Sequence, residues 1–544
     1  MNSTEVPTTK SAEIVDSGLK IKQPNRLWLL VLALGWVFDF LFWNHPIGVN
    51  FAVFSVLCLL GGLLFLITEG FRPSRNSLWL LIPFTFFVVF TFLRQEPLTS
   101  FLAYTFTLFS IGVFVNTYLG GRWFQYSLTD YVSKFFQLVG SMLTRQKGFF
   151  LQIRQERVAQ GETRKKFPTA AVLRGLLIAF PIVVIFALLL ASADAVFNQK
   201  IIDFFDLFDS GKISEYVFRF FMILVCAYLL VGIFLQAASQ SKDGNLAGEG
   251  GISIKQILGF TEASIVLGSV AFLFLIFVII QFQYFFGGQS NIGIAGYTYS
   301  QYARRGFSEL VTVAFFSLLL IMGLATITKR EKELEQKIYS WLSVAIVLQV
   351  LVILTSAYQR LTLAIDWHGF SRIRLYPQVF LIWVGILFVV IVFLEIFHQE
   401  KYFAFAFVLA SLGFAISLTL VNVDSAIVKR NIFRVSQGKN LNVGHLASLS
   451  TDAIPSLVEA YQTQGISDTT REGIGAILLC YINSDKVSFE KSIDWRSFNY
   501  SSWKAAQLLT EIHPLLVGYR ISGYGSSLRV RTPSNMLYEC QGTY

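Results

Sequence analysis

Apolar runs long enough to cross a lipid bilayer recur along most of this chain. A transmembrane helix needs roughly 20 mainly apolar residues, and eleven runs fit, at 27–43, 49–67, 77–93, 98–119, 169–196, 213–235, 257–286, 307–327, 338–357, 375–397 and 403–423. Only 14% of the residues are charged, whereas soluble domains carry about 25%. The sequence predicts an all-α polytopic integral membrane protein with about eleven transmembrane helices and a small, mainly helical C-terminal soluble domain.

The distribution of basic residues among the loops predicts the orientation in the membrane. Lys and Arg concentrate in alternate loops that begin with the N-terminal tail, and such loops lie on the cytoplasmic side by the positive-inside rule. The net charge of +10 is therefore attributed to cytoplasmic loops, and nucleic acid is not expected as a partner. With an odd number of spans, the N-terminus is cytoplasmic and the C-terminus is extracytoplasmic in the cell membrane.

These patterns divide the chain into five parts. We expect a cytoplasmic tail at 1–26, four transmembrane helices at 27–119, a basic amphipathic cytoplasmic loop at 120–168, a seven-helix transmembrane core at 169–423 and an extracytoplasmic helical domain at 424–544. In the loop, Tyr131, Phe135, Leu138 and Met142 recur at helical spacing among basic residues. This pattern suits a helix that lies on anionic lipid, although an ordinary positive-inside loop is the simpler interpretation.

The C-terminal part contains helix-start signals and two of the four cysteines. Thr469 to Glu472 has the form of a capping box, and the Ser450-Thr451-Asp452 triplet opens another helix. No CxxC motif or metal-ligand spacing is present. If the domain is extracytoplasmic, Cys480 and Cys540 could form a disulfide, but their spacing alone does not show that they are close.

Charged residues at the ends of the predicted spans are the candidate functional residues, because charge within lipid is costly. Arginine forks suit phosphate or carboxylate groups, and nearby acids could pair with them. One interpretation is an anion or lipid-headgroup site near the outer leaflet, and the other is structural ion pairing that ties loops together. The candidates are Asp194, Arg304, Arg305, Glu309, Arg372, Arg374, Tyr376 and Asp424.

Several stretches resemble a family of bacterial polytopic membrane proteins, domain of unknown function 4173, and its close neighbour 4153. The matching stretches are RGLL at 174–177, ASADAVF at 191–197, GYTYSQYARRGF at 296–307, GFSRIRLY at 369–376, NVD at 422–424, LASLSTDAIP at 446–455 and DWRSFN at 494–499. Ile373 departs from the family pattern, which usually has an acidic residue there. The resemblance implies an integral membrane protein of the bacterial cell envelope and supplies no reaction.

Three classes of function remain open. No HExxH or GxSxG motif is present, and we predict no catalytic residue, metal or cofactor. The first class is a non-enzymatic scaffold, sensor or partner protein, and it suits the lack of catalytic motifs. The second is a transporter or permease for an anionic or lipid substrate, and the third is a membrane-embedded enzyme that acts on lipid. Membrane lipids, anionic ones among them, and other membrane proteins are the expected partners.

Overall fold

The structure is a computed structural model that describes residues 21–159, 186, 190, 194, 197, 200, 210–239, 241, 258–286, 307–329, 332–439, 441–483, 494–523 and 528–540. Within these residues, nine helices are long and apolar enough to cross a membrane, and a tenth has a shorter apolar stretch, Glu309–Ala325. The fifth predicted span, 169–196, lies almost entirely outside the described residues. The structure confirms an all-α polytopic membrane protein.

Helices dominate the order of elements along the chain. The helices are α1 (Pro24–Phe42), α2 (Val49–Thr68), α3 (Arg75–Leu78), α4 (Leu81–Leu93), α5 (Pro97–Asn116), α6 (Leu128–Ala159), α7 (Ser210–Ala237), α8 (Phe260–Phe286), α9 (Phe307–Ile327), α10 (Glu333–His368), α11 (Arg372–Ile396), α12 (Phe403–Val421), α13 (Val423–Ser436), α14 (Val443–Ala447), α15 (Ile454–Gln462), α16 (Asp468–Ile482) and α17 (Tyr500–Ile512). The strands are β1 (Arg520–Ser522), β2 (Arg529–Arg531) and β3 (Leu537–Glu539).

The described residues divide into two compact units. The first unit contains Met1–Asn44, Leu57–Arg72 and Phe136–Ser239, and the second contains the remaining residues. In the first unit, α1 packs closely on α7, because Gly35 lets the two backbones approach. A Cβ atom at Gly35 would lie 2.7 Å from the carbonyl oxygen of Ile223. Close backbone approach through glycine is typical of helix packing in membranes.

The second unit contains a bundle in which α10 packs against α8, α9 and α11, and α11 packs against α12. Helix α10 has 36 residues, so it extends well beyond the apolar run predicted at 338–357. Its last turns contain Arg360 and Asp366. Because these charged residues lower the local hydropathy, the apolar pattern does not predict that the helix continues. The helix ends at His368 and is followed by Gly369, whose φ of +83° is a left-handed conformation that favours glycine.

The part of the chain that follows α12, which we call the C-terminal segment, contains short helices and a three-stranded antiparallel sheet in the order β1-β2-β3. Its core includes Leu457 and Ile477, and it also includes Leu375 of α11 and Leu418 of α12. The segment therefore shares one core with the ends of two membrane-spanning helices. Within it, a disulfide joins α16 to the residue after β3, with an S–S distance of 2.00 Å between Cys480 and Cys540.

Candidate functional site

A buried ionic network lies in the second unit, where α5, α11 and α13 begin. We call it the junction network and define it as Glu96, Arg372, Tyr376, Asp424, Ser450 and Asp452. Its three carboxylate residues are almost fully buried, with exposed fractions of 1% for Glu96, 0% for Asp424 and 3% for Asp452. Buried carboxylates are costly unless they are paired and hydrogen-bonded, so the partners of each one decide what the network does.

The centre of the network is a two-pronged ion pair between Arg372 and Asp424. Arg372 Nε donates to Asp424 Oδ1 at 2.8 Å and its Nη2 donates to Oδ2 at 2.5 Å. Asp424 Oδ2 also accepts from the backbone N–H and the hydroxyl of Ser450, at 2.7 and 2.6 Å. Asp424 lies in the first turn of α13, where the helix dipole favours a negative charge. The ion pair thus ties the start of α11 to the start of α13.

Glu96 connects the network to α5. Its carboxylate caps that helix by accepting from the backbone N–H groups of Leu98, at 3.1 Å, and Thr99, at 2.7 Å. The hydroxyl of Tyr376 donates to the same carboxylate, and Arg372 Nε lies 3.9 Å from Glu96 Oε1. One carboxylate therefore satisfies free N–H groups at a helix start and joins an ionic network.

Asp452 attaches the C-terminal segment to the turn between α4 and α5. Its Oδ2 accepts from the backbone N–H groups of Gln95 and Glu96, at 2.9 and 2.8 Å. Burial raises the pKa of Asp452, while hydrogen bonds from Ser501 and these backbone groups oppose the rise. A second contact strengthens the attachment, because the amide of Asn499 donates to the carbonyl oxygen of Arg94 at 3.2 Å.

A tight turn between α10 and α11 positions Arg372. The side-chain amide of Asn431 holds this turn by accepting from the N–H and donating to the carbonyl of Phe370, both at 2.9 Å. Arg374 Nη1 donates to the carbonyl of Gly369 at 2.8 Å. Arg374, which the sequence suggested as an anion ligand, therefore directs one of its donors to the backbone of this turn.

His445 lies beside the network and stays neutral near pH 7. Its pKa is lowered from the ordinary value of 6.5, first by burial and then by the positive charges of Arg374 and Arg372, while Asp424 opposes the shift. The imidazole therefore adds no positive charge to a region that already contains two arginines.

The other sequence candidates lie elsewhere. Asp194 belongs to the first unit, is exposed, and accepts at 2.8 Å from the backbone N–H of Phe197. Glu309 is exposed in the first turn of α9. Arg304 and Arg305 lie outside the described residues. The junction network thus contains Arg372, Tyr376 and Asp424 from the candidates, together with three members that sequence reasoning missed.

Two local patterns could have indicated the missed members. Glu96 stands directly before Pro97, which is the first residue of α5, and an acidic residue before a helix-starting proline is a capping signal. Ser450 and Asp452 lie in a helix-start triplet, where Ser450 accepts from the N–H of Asp452. Both patterns identify a helix start, but neither shows that the side chain also reaches a distant ion pair.

An apolar cavity of about 350 Å³ lies within the membrane-spanning part of the second unit. Small side chains of Ala314, Ala410 and Ser411 leave the space, and aromatic rings surround it. Two lining residues of the cavity are close in sequence to members of the network. Leu102 follows Glu96 by less than two helical turns, and Phe380 follows Tyr376 by about one turn. The lining is Leu102, Thr105, Phe106, Val311, Ala314, Phe315, Leu318, Leu354, Phe380, Trp383, Val384, Leu387, Phe388, Phe407, Ala410, Ser411 and Phe414.

Comparisons with known proteins identify the family. The family model described as domain of unknown function 4153 matches residues 29–460, which include every member of the junction network. A search of curated proteins and a search of solved structures each gave no significant match. Within the described residues, no group of three or more His, Cys, Asp or Glu side chains could hold a metal ion.

Proposed function

The chain belongs to the family of domain of unknown function 4153, and we propose that it is a non-enzymatic protein of the bacterial cell envelope. In this proposal it acts as a scaffold, sensor or partner of other membrane proteins. The C-terminal segment is its extracytoplasmic interaction module, and the membrane-spanning helices hold that module in a fixed position.

The observation that carries the proposal is how the network uses its polar groups. The Arg372 guanidinium is engaged by Asp424 in two-pronged geometry, and the same carboxylate accepts from Ser450. Glu96 and Asp452 accept from backbone N–H groups of the α4–α5 region. Such mutual satisfaction is what a mechanical junction requires, whereas a substrate site keeps donors available for its ligand.

Two further features support an extracytoplasmic C-terminal segment. The basic residues favour a cytoplasmic N-terminus. The disulfide between Cys480 and Cys540 suits an oxidising compartment, because cytosolic thiols are normally kept reduced.

Cysteine labelling in intact cells tests this orientation. Val517 is 85% exposed in the C-terminal segment, and Gln399 is exposed just beyond the far end of α11. With the free Cys58 and Cys226 replaced by serine, Val517→Cys should react with a membrane-impermeant maleimide. Gln399→Cys should react only after permeabilisation. The opposite pattern would place the C-terminal segment in the cytoplasm and refute an envelope role.

Site-specific photocrosslinking tests the role as a partner protein. A photoreactive residue at Val517 should give a defined protein adduct in membranes, and the same probe at Gln399 is the matched control. The Arg372→Met variant should lose the Val517 adduct, because the segment is no longer held in place. An adduct that persists unchanged in this variant would show that the junction does not matter for the interaction.

The apolar cavity favours a second candidate, a permease for a lipid substrate. Its volume is more than twice the roughly 150 Å³ of an engineered cavity that binds benzene, so it has room for a hydrocarbon chain. Vesicles that contain the protein would then transfer a fluorescent phospholipid between leaflets. An Ala314→Phe variant should block transfer, and Gly385→Ala, where no atom lies within 4 Å of the added Cβ, should not. Equal transfer by protein-free vesicles would exclude this function.

We also propose anionic lipids as partners of α6. One side of this helix exposes large apolar side chains at positions three to four residues apart, and Lys147 is exposed nearby. Such a helix binds the boundary between lipid tails and anionic headgroups. The exposed apolar residues are Val132, Phe135, Phe136, Val139, Leu143 and Phe150. Native mass spectrometry should show retained phosphatidylglycerol that decreases in a Phe135→Ser variant, and unchanged retention would argue against the assignment.

A further inference from the structure

The three-stranded sheet near the C-terminus has two different faces. Val530 is fully buried, and Tyr538 on the same face packs near Gly473 of α16. Because side chains alternate along a strand, the neighbours of Val530 point to the opposite, exposed face. Three of the exposed residues are arginines, namely Arg520, Arg529 and Arg531. We call these three residues the arginine face.

The register of the sheet places like charges directly opposite each other. Arg520 pairs with Arg531 across β1 and β2, so their Cβ atoms lie roughly 5 Å apart. Arg529 lies two residues from Arg531 on the same strand, and its charge is compensated by Glu539, at 2.9 Å. Within the described residues, neither Arg520 nor Arg531 has an acidic partner. Directly opposed like charges destabilise a sheet, so the pair needs a compensating charge.

The arginine face is held in place by covalent and packing constraints. The disulfide links Cys540, next to β3, to α16, and the N–H of Cys540 donates to the carbonyl of Leu528 at 2.9 Å. At the other end, Thr532 and Met536 close the turn between β2 and β3 with a 2.9 Å hydrogen bond. These contacts fix β2 and β3, and the pairing of β1 with β2 places Arg520 opposite Arg531.

From this arrangement we propose that Arg520 and Arg531 form a binding site for a phosphate group. A guanidinium presents several N–H donors in a planar fork that matches phosphate oxygens. Two forks on adjacent strands can donate to different oxygens of one phosphate, which also neutralises their mutual repulsion. The ligand is a phosphate monoester or diester, carried either by a soluble molecule or by a lipid headgroup.

Phosphorus NMR of inorganic phosphate tests the site in the intact protein. The full chain in phosphatidylcholine nanodiscs should broaden the phosphate signal in a saturable way. Arg520→Gln and Arg531→Gln should each weaken binding about tenfold or more, which corresponds to one lost charge-assisted hydrogen-bonding group. Arg529→Gln is the matched control and should change the affinity less than about threefold, because Glu539 already compensates its charge.

Two further measurements separate a phosphate site from a generally basic surface. Arg531→Lys keeps the charge but loses the fork, so it should bind more weakly than the wild type. Without phosphate, Arg520→Gln should unfold at a higher temperature than the wild type, because the repulsion is gone. The proposal is overturned if the wild type shows no saturable binding, or if Arg529→Gln weakens binding as much as Arg531→Gln.

The two sources of phosphate give different results in nanodiscs of different composition. If the ligand is a lipid headgroup, discs that contain phosphatidylglycerol should compete with inorganic phosphate and shift the titration. If the ligand is soluble, the titration should be the same in both kinds of disc. Either result identifies the source once Arg520 and Arg531 have been shown to be required.

Discussion

Loss of Arg372 should destabilise the C-terminal segment strongly, because Arg372 is the cation between two buried carboxylates. Its side chain is 22% exposed, whereas Asp424 is fully buried and Glu96 almost so. At the 3.9 Å between Arg372 and Glu96, the interaction of two unit charges is about 4 kcal/mol with an effective dielectric constant near 20. The Asp424 contact is shorter, so both carboxylates lose a large favourable interaction when the arginine is removed.

The expected cost of Arg372→Met is about 3–5 kcal/mol in the free energy of unfolding, the usual range when one partner of a buried pair is removed. Asp424→Asn should cost less, because Arg372 keeps Glu96 as a counter-ion and the amide still accepts from Ser450. The double variant should cost less than the sum of the two single variants, by at least about 1 kcal/mol, because the residues interact directly.

Pulse proteolysis in urea, on protein purified in detergent, measures these free energies through cleavage of the unfolded C-terminal segment. The matched control is the exposed ion pair between Lys429 and Glu459, at 3.2 Å, where Lys429→Met should cost about 0–1 kcal/mol. If Arg372→Met costs no more than this control, or if the Arg372 and Asp424 costs are additive, the network does not hold the segment and the reasoning fails.

Other variants test the turn, the imidazole and the disulfide. Gly369→Ala should lower the free energy of unfolding by about 1–3 kcal/mol, since φ is +83° and the new Cβ would lie 2.6 Å from two side-chain atoms. The control is Gly438→Ala, where φ is similar but the space around the new Cβ is open. This control should cost less in the same proteolysis assay. The lowered pKa of His445 means that the unfolded chain binds a proton first as the pH falls, so stability should decrease below about pH 6.5. His445→Asn should flatten urea-midpoint curves between roughly pH 7 and 5, and an unchanged slope would assign the effect to another group. Reduction of the Cys480–Cys540 disulfide, which closes a 60-residue separation, should cost about 4 kcal/mol, measured by proteolysis with and without reductant.

The membrane-spanning helices could be predicted because their signal is local. A run of about 20 apolar residues is sufficient to indicate a span, and nine described helices meet that criterion. The end of α10 could not be predicted in this way, because Arg360 and Asp366 interrupt the apolar run while the helix continues to His368. Hydropathy indicates which residues are favourable in lipid, and a helix can continue beyond the last of these residues.

Helix caps show the same limit at a smaller scale. The sequence suggested a capping box from Thr469 to Glu472, but Ser467 caps α16 and Glu472 accepts a hydrogen bond from the Ser534 hydroxyl instead. The local sequence is compatible with two helix starts. One has Ser467 as the capping residue, and the other has a capping box that begins two residues later, at Thr469. The distant Ser534 favours the earlier start, because it engages Glu472.

The junction network was only partly predictable, because its partners are far apart in the chain. Arg372 and Asp424 are recognisable as charges at span ends, where a reason for their presence is required. Asp452 accepts a hydrogen bond from the backbone N–H of Glu96, which lies 356 residues away in the chain. No local sequence pattern indicates a contact between residues so far apart. Their association depends on how α5, α11 and the C-terminal segment come together.

Ion pairs near helix ends explain how a mainly apolar bundle can have one arrangement. Lipid tails are as apolar as leucine, so the hydrophobic effect does not determine how two spans slide or rotate against each other. A two-pronged ion pair between two helices does determine their relative position, because both donors can reach the carboxylate in only one register of the helices. In the second unit Arg372 and Asp424 have this geometry between the start of the span α11 and α13, the short helix that follows the span α12. In the first unit Arg219 of α7 donates to both oxygens of Asp39 of α1. Each unit therefore uses one arginine and one aspartate to fix two helices, and this accounts for charges that lipid alone would disfavour.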